Sequence, residues 1–222
     1  MSTRWFWLTA LCGLTAGSLA AQSGGGLSGT ASALLQNVRA RSEGSSLSQV
    51  SGTTVGFAGS VRFRRFELGV RYAEGKLQPA DGVSPSRDIV EGALALRFVG
   101  TPWLSVEMGP RARHYASPSG AERWITWRLG GRVETAIVGT SVRGHAVLWR
   151  GLGLEVNVPP GSGSARGGEV GVTVDLGPRG GGGGGGPLWF ALAYGIDQAQ
   201  VRDAARRETV ETLTLTAGLR RR

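Results

Sequence analysis

The stretch VEGALALRFVGTPWLSVEMGPRARHY, Val90–Tyr115, decides the fold. It reads as apolar, yet Glu91, Arg97, Glu107, Arg111 and Arg113 sit inside it. A charge buried without a partner is strongly destabilising. Strand geometry resolves the conflict, because successive side chains point to opposite faces. Val90, Leu94, Leu96 and Phe98 share one face, and Glu91, Ala93, Ala95 and Arg97 share the other. Beyond Gly100–Pro102, Leu104, Val106 and Met108 return to the apolar side, while Glu107, Arg111 and Arg113 rejoin the charged side. The stretch is a hairpin with one oily face and one charged face.

The same period of two recurs along the chain. It is seen in FELGVRYA from Phe66, EVGVTVDL from Glu169, PLWFALAYGID from Pro187 and TLTLTAGL from Thr212. Ten strands are expected near 32–42, 52–64, 66–75, 88–100, 102–115, 123–138, 141–157, 168–178, 188–201 and 209–220. The first is the weakest, because ALLQNVRARS alternates poorly. Very short links at 64–65, 100–102 and 139–141 are interleaved with longer polar ones such as EGKLQPADGVSPSR and PPGSGSARGG. The link at Gly177–Pro187 should be short but carries the glycine tract 180–186, which reads as a lengthened turn. That tract is not a phosphate loop, since no Lys-Ser or Lys-Thr and no helix follow it.

The first residues, MSTRWFWLTALCGLTAGSLAAQ, have one early charge, a short apolar run and small residues before Gln22. This is the layout of a secretory signal peptide over 1–21, leaving one domain over 22–222. Cys12 is the only cysteine and would leave with the signal, so neither a disulfide nor a thiolate metal site is expected. The formal net charge is +9, and Lys76 is the only lysine. The arginines are spread singly at alternating positions, which argues against a nucleic-acid patch.

An even number of antiparallel strands, with short turns at one end and long loops at the other, matches a transmembrane β-barrel. Closure removes the unpaired edges that lipid cannot satisfy. The aromatic residues fall in two bands on the apolar face: Phe63, Phe66, Phe98 and Phe190 near short turns, and Tyr72, Trp127 and Tyr194 toward the long links. Trp103, Trp149 and Trp189 fall on the inner parity. The expected fold is an all-β, antiparallel, up-and-down barrel of ten strands, with eight as the alternative.

With this pattern the chain resembles the small outer-membrane β-barrel proteins of Gram-negative-type bacteria, over roughly residues 30–222. The resemblance implies an outer-membrane location, contact with outer-membrane lipid and handling by the barrel-assembly machinery. Such barrels often end in an aromatic residue that this machinery reads. Here Leu219 is followed by Arg220, Arg221 and Arg222.

With the apolar face outward, the lumen collects a charge network. It comprises Arg62, Glu67, Arg71, Glu91, Arg97, Glu107, Arg111, Arg128, Arg132, Glu134, Arg143 and Glu155, with Arg113, His145, Asp175 and Asp197 on the same parity. Glu91 is expected to pair with Arg111 or Arg113, and Arg97 with Glu107. Arg87, Arg123, Arg166, Arg202, Arg206 and Arg207 are expected in outer loops. Only His114 and His145 exist, at opposite ends of the expected barrel and on opposite faces, and no GxSxG is present. The chain is therefore read as no enzyme, with no metal and no cofactor. The leading function is a structural or surface-exposed outer-membrane protein. A second reading is a narrow porin-like channel for small, anionic solutes. A third is a soluble, exported, lipocalin-like carrier, whose strands alternate equally well.

Overall fold

The computed structural model describes residues 27–44, 47–82, 85–118, 120–139, 141–157, 160–176, 188–202 and 206–221. The expected signal peptide, with Cys12, and the glycine tract 180–186 lie outside the described residues. Ten strands follow one another: β1 (Leu27–Glu43), β2 (Leu47–Phe63), β3 (Phe66–Pro79), β4 (Arg87–Val99), β5 (Leu104–Ser117), β6 (Gly120–Val138), β7 (Val142–Asn157), β8 (Pro160–Leu176), β9 (Leu188–Val201) and β10 (Arg206–Arg221). Each pairs antiparallel with its chain neighbours, and β1 pairs with β10, closing the barrel. Ten strands, not eight, form the ring.

The alternation of short and long links is not observed. Only 44–46, 118–119 and 158–159 separate strands where long polar loops are expected. The strands absorb those segments: GSGSAR belongs to β8, KLQP to β3 and LSQV to β2. Accordingly Arg87, Arg123, Arg166, Arg206 and Arg207 lie in strands rather than in loops, and only Arg202 sits in a turn. Polarity in these segments marks an outward face in water, not a loss of strand.

The wall has two regimes along its axis. In the half nearer the 64–65, 100–103 and 139–141 turns, the outward residues are large and apolar. Phe66, Leu68 and Val70 of β3, Leu94, Leu96 and Phe98 of β4, and Leu188, Phe190 and Leu192 of β9 are all exposed. In the other half the outward residues turn polar: Asn37, Arg39 and Arg41 on β1, Glu74, Lys76 and Gln78 on β3, and Ser162, Ser164 and Arg166 on β8. There the apolar side chains point inward. Val38, Val50, Leu77, Ile89, Tyr115, Trp124, Leu154, Val156, Val201 and Val210 form one buried cluster. A uniformly polar lumen is therefore not what this sequence builds.

Three irregularities shift the register within the wall, one of them at the turn end of β6, between Ala136 and Val138. The β6–β7 pairing slips between Trp127 and Arg128, and the β7–β8 pairing slips between Arg150 and Leu154. The extra residue of such a bulge reverses the parity of everything beyond it. On β7, Val147 is buried before the slip, and Leu154 and Val156 are buried after it. Glu155 is thereby exposed on the outer face, and the expectation that it enters the lumen is corrected.

Candidate functional site

The lumen is stratified. Nearest the short turns, Arg97 of β4 donates to Glu67 of β3 and to Glu107 of β5, each at 3.1 Å. These three residues face one another directly in the pairing register, so the ladder itself sets the contact. On the opposite wall Arg143 pairs with Glu134 and, at 3.1 Å, with Asp175, which Arg220 also reaches at 3.0 Å. Arg132 is 3.6 Å from Glu134. Arg62 lies at the turn-end rim, exposed, and donates to the Arg64 carbonyl rather than to a carboxylate.

Above this layer is a chamber of about 370 Å³. Small residues such as Ala58, Gly69, Ala93, Ala95 and Ala193 make room for it, and Arg71, Arg132, His145, Glu169, Trp149 and Trp189 project into it. His145 and Glu169 are hydrogen-bonded at 3.2 Å. His114 sits on outward-facing parity on β5, so the two histidines are not brought together.

A dense ion cluster roofs the chamber. Asp197 Oδ2 accepts from Arg111 at 2.6 Å and from Arg113 and Arg128 at 3.1 Å each. Glu91 bonds Arg111 at 2.9 Å and also Arg113. Glu208 accepts from Arg113 at 3.3 Å and from the Tyr115 hydroxyl at 2.9 Å. The Arg128 guanidinium also lies 3.7 Å from the centre of the Trp149 ring, the reach of a cation–π contact. Three guanidiniums and three carboxylates thus neutralise one another in a confined space, as desolvated charges must. Over the cluster sits the apolar plug, and near the loop-end rim Arg206 pairs with Glu122 and lies over Trp124.

Exposure falls from the turn end toward the plug: the Glu169 and Glu134 side chains are 30% exposed, Asp197 15%, Glu208 5%, and Leu77 in the plug 0%. Among the described residues the lumen is filled toward the loop end and keeps its free space toward the short turns.

Expected pairs of Glu91 with Arg111 and Arg113, and of Arg97 with Glu107, are present. Glu169, Glu208, Arg220 and Glu122 join the network although the sequence does not single them out for it, and Arg206, expected in an outer loop, joins them. Their parity marks them: Glu169 is in phase with Thr173 and Asp175, and Glu208 and Arg220 are in phase with Thr212, Thr214 and Thr216. Glu122, Arg206 and Glu208 lie in segments that read as loops, which hides their parity. Phe63, Phe66, Phe98, Phe190, Trp127 and Tyr194 are exposed on the outer face, and Tyr72 stacks on Phe57 with ring centres 5.5 Å apart. Of the tryptophans on inner parity, Trp149 and Trp189 line the chamber, whereas Trp103 is exposed in the 100–103 turn. No group of three or more side chains able to hold a metal ion occurs among the described residues.

No family model matches the chain, and no curated protein matches it. Solved structures do. The outer membrane protease OmpT from Escherichia coli superposes with a TM-score of 0.55 at 9% identity, over 90% of this chain and 98% of that one. The COG4313 outer membrane channel from Pseudomonas putida F1 gives 0.46 at 11%, over 87% and 96%. Neisserial surface protein A gives 0.37 at 13%, over 89% and 97%. The chain has the fold of the small bacterial outer-membrane β-barrels.

Proposed function

We propose that this chain is an integral outer-membrane barrel that closes its own lumen and acts through its exposed surface, without enzymatic chemistry. The observation that carries the reading is the two-tier seal: an apolar plug stacked on an ion cluster across the loop-end half of the lumen. A passing ion would have to part both the packed side chains and the paired charges. The outward apolar belt supports a bilayer around the turn-end half, since a soluble carrier would bury that face inward. With the start of β1 and the end of β10 both at the turn end, that end faces the periplasm, and the polar strand extensions stand outside the cell. Outward arginines on those extensions, Arg39, Arg123, Arg166 and Arg207 among them, suit the phosphates of outer-leaflet lipid.

The test is single-molecule conductance of the purified chain in a planar bilayer. Insertion without unit conductance steps is expected, and regular steps would overturn the closed-lumen reading. Recovery of the chain in a soluble fraction rather than a detergent-requiring one would overturn the membrane reading.

A further inference from the structure

The chamber below the seal is more basic in its unfilled bonding capacity than in its formal charge. Arg71 has no carboxylate within ion-pair distance among the described residues. Its only hydrogen bond goes to the neutral Thr214 hydroxyl at 3.4 Å. Arg132 meets Glu134 only at 3.6 Å, beyond a normal hydrogen bond. Arg128 shares a single carboxylate oxygen with two other guanidiniums. The Nε groups of all three arginines are buried and have no protein acceptor. A buried donor left unmade is costly, and a guanidinium fork is shaped to bind two oxygens of one oxyanion.

The approach to the chamber is equally one-sided. Arg62, Arg64, Arg65 and Arg221 are exposed at the turn-end rim. A basic rim above a low-dielectric wall concentrates anions. The wet end of the lumen and the unsatisfied forks therefore face the same compartment.

We propose that the chamber is a blind binding site for a small oxyanion, of phosphate or carboxylate type, entering from the turn end and held by Arg71 and Arg132 with Arg128 behind them. Glu169 lies within electrostatic reach of Arg71 and Arg132, and His145 bonds it. It competes for the Arg71 and Arg132 forks as Asp197 does for Arg128, so the site favours a multiply charged anion that outbids a single carboxylate. The proposal rests on the closed-lumen reading only for its direction of entry. Conductance would remove that reading and leave the binding result to stand or fall by itself.

The full chain in detergent micelles is titrated calorimetrically with inorganic phosphate in one arm and citrate in another, at constant ionic strength set by chloride. Saturable binding in either arm is expected, and the arm that saturates names the oxyanion. Arg71→Gln with Arg132→Gln should weaken it about tenfold or more. Arg39→Gln with Arg41→Gln, which removes the same charge from the outer face, should leave it unchanged. If the glutamine pair does not fold by circular dichroism, Arg71→Lys with Arg132→Lys keeps the charge, loses the fork and should still weaken binding several-fold. No saturation in either arm by about 10 mM, or equal weakening by the outer-face pair, overturns the site.

Discussion

Leu34 and Leu35 are neighbours in the chain and point into different media: Leu34 is 5% exposed inside the lumen, and Leu35 is 46% exposed on the outer wall. They mark the level on β1 where the barrel changes sides. Below them the chain puts Ser32 and Thr30 inward and Ala33 outward. Above them it puts Val38 inward and Arg39 outward. Trp124 and Trp127 mark the same change on β6, the first buried and the second exposed on the outside. The barrel is thus built like a membrane protein at one end and like a soluble barrel at the other, with a single unbroken sheet running through both.

This inversion predicts where a charge is tolerated on the outer wall. Leu94→Arg, in the apolar belt, should lower stability by ~2–4 kcal/mol if the site is near the bilayer midplane. Gln49→Arg, outward on the polar extension of β2, should change it by less than about 0.5 kcal/mol. Urea unfolding in lipid vesicles measures both. Equal effects at the two positions would remove the belt.

Asp197→Asn tests the roof of the chamber. The carboxylate serves Arg111, Arg113 and Arg128 at once, and its own side chain is 15% exposed. Its neutralisation leaves three clustered guanidiniums with two carboxylates, and breaking buried pairs of this kind costs about 3–5 kcal/mol. The unfolding midpoint should fall accordingly, whereas Arg41→Gln, which removes an exposed pair with Glu43, should barely move it.

Much of this arrangement was legible in the sequence, and what was not has a physical cause. The hairpin Val90–Tyr115 gave its pairing and its ion pairs directly, because a period of two assigns faces and the ladder assigns partners. The β1 segment read as weak because Leu34 and Leu35 sit where both faces are apolar. The strand extensions read as loops because Gly, Ser and polar residues on the outer face of a strand look like a turn unless the inward residues are read as a set. Glu155 reads as inward because a bulge, which reverses parity, leaves no mark in a simple alternation count.

The plug makes a prediction about the seal. Leu77→Ala with Ile89→Ala removes two of its most buried side chains, each expected to cost about 2–5 kcal/mol. The ion cluster beneath remains intact, so the variant should still insert without conducting. Conductance should arise only when Asp197→Asn is added, because that substitution disrupts the second tier. Steps in the plug variant alone would show that the apolar tier is the whole seal.

The β7 bulge gives the sharpest test of how sidedness is encoded. Gly151, Leu152 and Gly153 fall where the β7–β8 register slips between Arg150 and Leu154. Deleting Gly153 removes the extra residue, so the alternation becomes uninterrupted while Leu154 and Val156 still face inward and Glu155 outward. That variant should fold in micelles and keep its cooperative unfolding transition. Deleting Glu155 instead makes Leu154 and Val156 neighbours, so one of them must face outward and leave the cluster that holds Trp124, Ile89 and Val201. This second deletion should lower stability by about 2–5 kcal/mol, the cost of losing a large buried apolar side chain. Equal stability of the two deletions would show that the bulge does not mark the one place where β7 carries a spare residue.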